Sequence, residues 1–217
     1  MARIHDNLTQ FPYHISYRLF GSVSKSIIEQ LSFRRDQQLS LLAEDLARLP
    51  EYLRKETSDK EKYRINATYE LAVEKALHDS NTPGPRHLSR SDLAKIVLDS
   101  WLNLQERGVI YVYVICVMGN HVHAIIRAPD GTEETSLPVI MKSHKGFTAR
   151  KINKLLDKTF TSFWEPDYFD RRVRTGKFNT VMWYVLNNPV AAGLIKNWKD
   201  WPHTYLNPDF AALFGGE

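Results

Sequence analysis

Hydrophobic positions along the chain change period several times, and each change marks an element. Tyr13-His14-Ile15-Ser16-Tyr17-Arg18-Leu19-Phe20 alternates with period two, which predicts a strand over 13–20. His14, Ser16 and Arg18 then share one face and Tyr13, Ile15, Tyr17 and Leu19 the other, and one of the two faces is core. Ser26-Ile27-Ile28-Glu29 reads as a capping box, and Ile27, Leu31, Leu42, Leu46, Leu49 and Leu53 hold a helical period to about residue 55. A second helix is expected over about 67–78, broken by Asn81-Thr82-Pro83-Gly84-Pro85. Ser89 or Ser91 caps a third, which Gly108 ends. Residues 24–107 are thus a mainly helical insertion in one domain spanning 1–217.

Two apolar runs follow, Val109 to Met118 and His121 to Arg127, joined at Gly119-Asn120 and read as buried strands. A helix over 137–156, a strand near 162–169 and a last helix complete the order. In that helix Phe178, Met182, Val185 and Leu186 bury one face. The succession predicts an α+β fold, an antiparallel sheet with helices packed on it.

The chemistry centres on two short stretches. His121 and His123 are one residue apart on a strand, so both imidazoles project from the same face, about 6 to 7 Å apart along the chain. One metal ion can bridge that spacing, although two separately satisfied histidines produce the same pattern. Lys177, Val181, Tyr184 and Asn188 line a stripe of the last helix, where the Tyr184 hydroxyl and Asn188 amide lie one above the other. Asn188 precedes Pro189, which places it at a helix end, as a ligand or as a turn residue.

Together these stretches resemble the single-tyrosine transposases of the HUH nuclease superfamily, in the branch of REP-associated tyrosine transposases. The resemblance runs in order through Tyr13-His14-Ile15-Ser16-Tyr17-Arg18-Leu19, Val117-Met118-Gly119-Asn120-His121-Val122-His123, Trp164 with Tyr168-Phe169-Asp170-Arg171, Tyr184 to Leu194, and Trp201-Pro202. It covers over half of the chain and is looser between about 20 and 105. Gly119 stands where the family usually has proline, which suggests a looser turn into the strand. The resemblance implies a ferredoxin-like fold, with His121, His123 and Asn188 holding Mg²⁺ or Mn²⁺ and Tyr184 as nucleophile. Ligand type alone would also admit Zn²⁺ or Ni²⁺. It further implies cleavage and rejoining of single-stranded, hairpin-forming DNA through a 5′-phosphotyrosine. A domesticated hairpin-binding protein without catalysis and a metal hydrolase without a covalent intermediate are the alternatives. A monomer is expected rather than a dimer exchanging the tyrosine helix.

Charge modifies this picture. Lysine and arginine number 29 against 25 acidic residues, a net +4 with a pI near 9.1, too small an excess to name a partner by itself. The distribution is more telling. Lys142, Lys145, Arg150, Lys151 and Lys154 decorate the 137–156 helix, and Arg171, Arg174 and Lys177 follow, all candidates for phosphate contact if not simply a solvated face. In Phe163-Trp164-Glu165-Pro166-Asp167-Tyr168-Phe169-Asp170-Arg171-Arg172, Trp164 suits core packing and Arg171 phosphate contact, although aromatics there also suit base stacking. Tyr168 is a rival nucleophile, but position 172 offers arginine instead of an amide. Cys116 is the single cysteine, which excludes an internal disulfide. There is no G-x-x-x-x-G-K-[ST] loop for a nucleotide phosphate, no apolar leader and no run long enough to span a bilayer. The expected location is cytoplasmic, nucleoid-associated when bound to DNA.

Overall fold

The computed structural model describes residues 5, 7–79, 84–158 and 161–215. Its strands are β1 (Tyr13–Arg18), β2 (Tyr111–Val117), β3 (His121–Arg127), β4 (Phe169–Arg172) and β5 (Thr204–Leu206). Its helices are α1 (Lys25–Arg48), α2 (Glu51–His78), α3 (Ser91–Glu106), α4 (Leu137–Leu155), α5 (Phe178–Leu186), α6 (Asn188–Ala191) and α7 (Ala211–Phe214). All strand pairs are antiparallel, in the order β4-β1-β3-β2-β5.

The alternation in β1 decides what each face of the sheet does. Tyr13, Ile15, Tyr17 and Leu19 join Val112, Ile115, Val117, Val122, Ala124 and Ile126 in an aliphatic and aromatic face. The amphipathic helices α3 and α4 cover it through Leu93, Ala94, Val97, Trp101, Leu137, Ile140, Met141 and Ile152. The other face is mixed. Over β2 and β3 it is apolar (Val114, Cys116, Ile125), and Met182, Val185 and Leu186 of α5 with Phe214 of α7 cover it. Side chains directly opposite in an antiparallel pair share a face. The pairings Ser16↔His123, Arg18↔His121 and His14↔Arg171 therefore place the polar half of β1, both imidazoles of β3 and one arginine of β4 together on that second face.

A buried polar network ties the aliphatic face to its helices. Trp101 Nε1–H donates to the Tyr17 hydroxyl (3.0 Å), Tyr17 lies 2.6 Å from His144 Nε2, and His144 Nδ1 lies 2.9 Å from Ser100 Oγ. Trp164 Nε1–H donates to Thr148 Oγ1 (2.9 Å), and Thr148 donates onward to the His144 carbonyl (2.8 Å). Burial pulls the His144 imidazole down to about 3 and pushes the Tyr17 phenol above its ordinary range, so both are neutral, as a fully hydrogen-bonded buried network requires.

The chain divides into two compact units: the sheet unit, built from residues up to Phe20 and from Pro85 onward, and a helical unit, Gly21–Gly84. In the helical unit, α1 and α2 pack as a hairpin, with Ser32 bonded to Tyr69 (3.3 Å) and the Arg35 guanidinium 4.7 Å over the same ring.

Several expectations are corrected. The helical unit is shorter than 24–107, because α3 buries Leu93, Ala94, Val97 and Trp101 against the sheet and belongs with it. The helix start is capped by Ser24, whose side chain accepts from the Ile27 amide, and not by Ser26. The first helix ends at Leu49-Pro50, and the second begins at Glu51 instead of near 67. Of the breaker, Asn81-Thr82-Pro83 lies outside the described residues. The strand expected over 162–169 is only an isolated bridge, Leu19↔Trp164, and regular pairing starts at Phe169. No helix among the described residues is long and apolar enough to cross a membrane.

Candidate active site

Both histidines lie at the start of β3, directly after the tight turn that joins it to β2. Met118 N–H donates to the His121 carbonyl (2.8 Å), Leu88 N–H to the Gly119 carbonyl (3.0 Å) and Leu19 N–H to the Asn120 carbonyl (2.8 Å). The turn is therefore pinned from three sides, not loosened by glycine. A Cβ at position 119 would lie 2.6 Å from Ser89 Oγ, so the space a side chain would fill holds that hydroxyl.

From this hairpin His121 and His123 project onto the second face, 0% and 1% exposed, with ring centroids 4.9 Å apart and planes at 88°. Asn188, the first residue of α6 and 1% exposed, inserts its amide between them. Its Oδ1 lies 3.2 Å from His121 Nε2 and its Nδ2 3.2 Å from His123 Nε2. The outer nitrogens are anchored separately. Asn120 Oδ1 lies 2.7 Å from His121 Nδ1, and His14 Nε2 lies 3.0 Å from His123 Nδ1. With its proton on Nδ1, donated to the nearer Asn120 amide oxygen, His121 turns the Nε2 lone pair inward, the tautomer that a metal ligand requires.

Tyr184 sits one turn before Asn188 on α5, half-buried, its ring edge-on to His123 at 5.6 Å and to His14 at 5.7 Å between centroids. Tyr168, the rival, belongs to the core of the opposite face. It is 7% exposed and stacked on the His5 ring at 3.7 Å.

The structure thus brings His121, His123, Tyr184 and Asn188 into one cluster, and it divides the candidate phosphate contacts. Lys142, Arg150, Lys151 and Lys154 are exposed along α4, which covers the aliphatic face, so these charges lie across the sheet from the imidazoles and not beside them. The reason is complementarity: the apolar stripe of α4 matches the aliphatic face, while α5 takes the other. Lys145 is engaged structurally, its ammonium donating to the carbonyls of Glu165 (2.6 Å), Pro166 (2.9 Å) and Asp167 (3.3 Å). Burial lowers its pKa to about 8, against the pull of Asp167 and Glu165. Arg171 shares the imidazole face through its pairing with His14, and Arg174 and Lys177 are exposed on the connection that leads into α5.

Two members of the cluster escaped the sequence. Asn120 looks like an ordinary turn residue, although its place beside a histidine in a turn is a signal. His14 was placed on the polar face of β1, but only the register brings it against His123. At the far end, Trp201 Nε1–H donates to the Val117 carbonyl (2.9 Å) and Val117 N–H to that of His203 (3.0 Å), lacing β5 along β2.

Residues 86–188 match the model of the family described as "Transposase IS200 like". That interval begins just before α3 and ends on Asn188. Among solved structures, the chain is similar to the REP-associated tyrosine transposase bound to a REP hairpin, at 11% identity and a TM-score of 0.50, covering 94% of this chain and 81% of that one. It also aligns with a Deinococcus radiodurans R1 chain described as a transposase, at 15% identity and a TM-score of 0.35, over 87% of this chain and 98% of that one. No curated protein matches.

Proposed function

We propose that the chain, in which residues 86–188 match the IS200-like transposase model and whose fold is that of a REP-associated tyrosine transposase, cleaves and rejoins single-stranded, hairpin-forming DNA with Tyr184 as nucleophile and a divalent cation at His121, His123 and Asn188. The observation that carries this reading is the convergence, within one chain, of two imidazole nitrogens and an amide on a point beside the Tyr184 ring.

The donor set fits a divalent cation. The 3.2 Å between His121 Nε2 and Asn188 Oδ1 is close to the roughly 3 Å edge of an octahedron with ligands at about 2.1 Å. With the His121 proton on Nδ1, Nε2 and Oδ1 are two acceptors facing each other, a contact that a cation between them makes favourable. Mg²⁺ or Mn²⁺ bound to these residues would supply charge withdrawal from the nonbridging phosphate oxygens and orient the phosphate. Three protein ligands leave further positions for phosphate oxygens and water.

The residues of the chain perform the rest. The Tyr184 oxygen attacks phosphorus, a tyrosine O–P bond forms, and the bond to the 3′ oxygen breaks. The phenol proton is lost and the 3′ oxygen gains one, so a 3′ hydroxyl leaves and the 5′ end stays on the enzyme. Bond energy is conserved, and a second 3′ hydroxyl can reverse the step on another strand without ATP. Arg171 supplies a cation on the side of the sheet where the phenol lies, and Arg174 and Lys177 supply two more on the connection that leads into the tyrosine helix. Lys142, Arg150, Lys151 and Lys154 would hold a separate stretch of the DNA backbone.

Incubating single-stranded hairpin DNA with the protein and Mn²⁺, then denaturing, tests the reading. A covalent adduct that disappears in Tyr184→Phe and persists in Tyr168→Phe supports it. Binding without cleavage would instead favour a hairpin-binding protein, and cleavage without adduct a hydrolase; either overturns the proposal.

A further inference from the structure

Resting on that reading, we infer that His14 is a positioning residue of the site, which holds the His123 proton on Nδ1 and thereby keeps the Nε2 lone pair aimed at the cation. The geometry is specific. His14 projects from β1 onto the imidazole face, two register positions from the Ser16↔His123 pair. Its ring lies nearly parallel to that of His123, at 12° with centroids 5.2 Å apart, and its Nε2 is 3.0 Å from His123 Nδ1. It also meets the Tyr184 ring at 87° and 5.7 Å. One side chain thus touches both a proposed ligand and the proposed nucleophile.

Between two neutral imidazoles one nitrogen donates and the other accepts. Were His14 the donor, His123 would carry its proton on Nε2, pointing at the Asn188 amide and closed to a metal. With His14 accepting, His123 presents a lone pair inward, as His121 does with Asn120 as its outer partner. The two ligands are thus oriented by unlike devices: an amide on the same hairpin for His121, and an imidazole brought by another strand for His123. His14 reaches the cation only through His123 and meets Tyr184 ring to ring, so its effect is on orientation and not on the reacting atoms.

The test begins with long-range ¹H–¹⁵N NMR of the metal-free protein, which reads the tautomer of each histidine. His123 protonated on Nδ1 is expected. His123 protonated on Nε2 overturns the inference without any variant. Mn²⁺ alone, titrated and followed by electron paramagnetic resonance, is then compared among wild type, His14→Leu and His14→Gln. The leucine variant should bind about 10- to 100-fold more weakly, the loss typical of a ligand's outer partner, and glutamine, whose Oε1 can accept the same bond, should recover most of it. Unchanged affinity in the folded leucine variant, or equal losses in both, refutes the role. An enzyme that shows the expected tautomer and Mn²⁺ behaviour but forms no DNA adduct would sink the transposase reading and leave the His14 assignment standing.

Discussion

Lowering the pH should weaken the protein through one buried imidazole, and the amount follows from its surroundings. His144 is 2% exposed, held between Tyr17 and Ser100, and burial, reinforced by the neighbouring Lys145 charge, brings it to about 3. An unfolded histidine titrates near 6.5, so between those values the unfolded chain takes up a proton that the native protein refuses. Stability from this group is complete above about pH 6.5 and is lost as pH falls toward 3, at about 1.36 kcal/mol per pH unit. At pH 4.5 the loss is roughly 3 kcal/mol, a large share of the 5–15 kcal/mol typical of a domain. Carboxylates also titrate in this window, so the measurement is a difference. Urea unfolding at pH 7.5 and 4.5 is followed for wild type and His144→Gln, whose amide can serve both neighbours without titrating. The glutamine variant starts less stable but should lose about 3 kcal/mol less on acidification, a difference of about 1 M or more in the change of urea midpoint. Parallel losses in the two proteins would show that the imidazole does not titrate as its burial requires.

Asn120→Ala removes the acceptor of His121 Nδ1 and should weaken Mn²⁺ binding about 10- to 100-fold by calorimetry, with the fold retained. Gly193 ends α6 at φ +69° with nothing within 4 Å of an added Cβ, so Gly193→Ala costs backbone strain alone, about 1 kcal/mol, and should lower the main melting transition by roughly 2–4 °C. Arg174→Ala and Lys177→Ala should each reduce the slope of log binding constant against log salt for single-stranded DNA by about 0.7. Lys145→Met should leave that slope alone and lower the melting temperature, because its ammonium holds three backbone carbonyls.

Much of the sheet could be read from residue order, because strands buried on both faces are nearly continuous apolar runs. The His121–Arg127 strand was placed to the residue and the 137–156 helix to within one. The helical unit was harder to read. Much of α2 is polar, α1 buries no residue, and the period that marks a helix depends on a buried stripe. Edge strands were obscured for a related reason: Phe169-Asp170-Arg171-Arg172 and Thr204-Tyr205-Leu206 are short and carry no alternation strong enough to separate them from loop. The cluster of His121, His123, Tyr184 and Asn188 was visible as two local patterns, while its outer partners depended on pairing register and turn geometry. The side of the sheet taken by α4 was likewise a tertiary choice, hidden from a count of lysines.

Strand β1 pairs with segments made much later: His14 finds His123 across 109 positions, and the Asn188 amide joins the imidazoles from 65 and 67 positions beyond them. A ribosome partway through the message therefore carries a polypeptide in which the imidazoles exist but the phenol and amide have yet to be translated. Translation order thus sets assembly order: the cluster of His14, His121, His123 and Asn188 closes only after the last of these residues has been made.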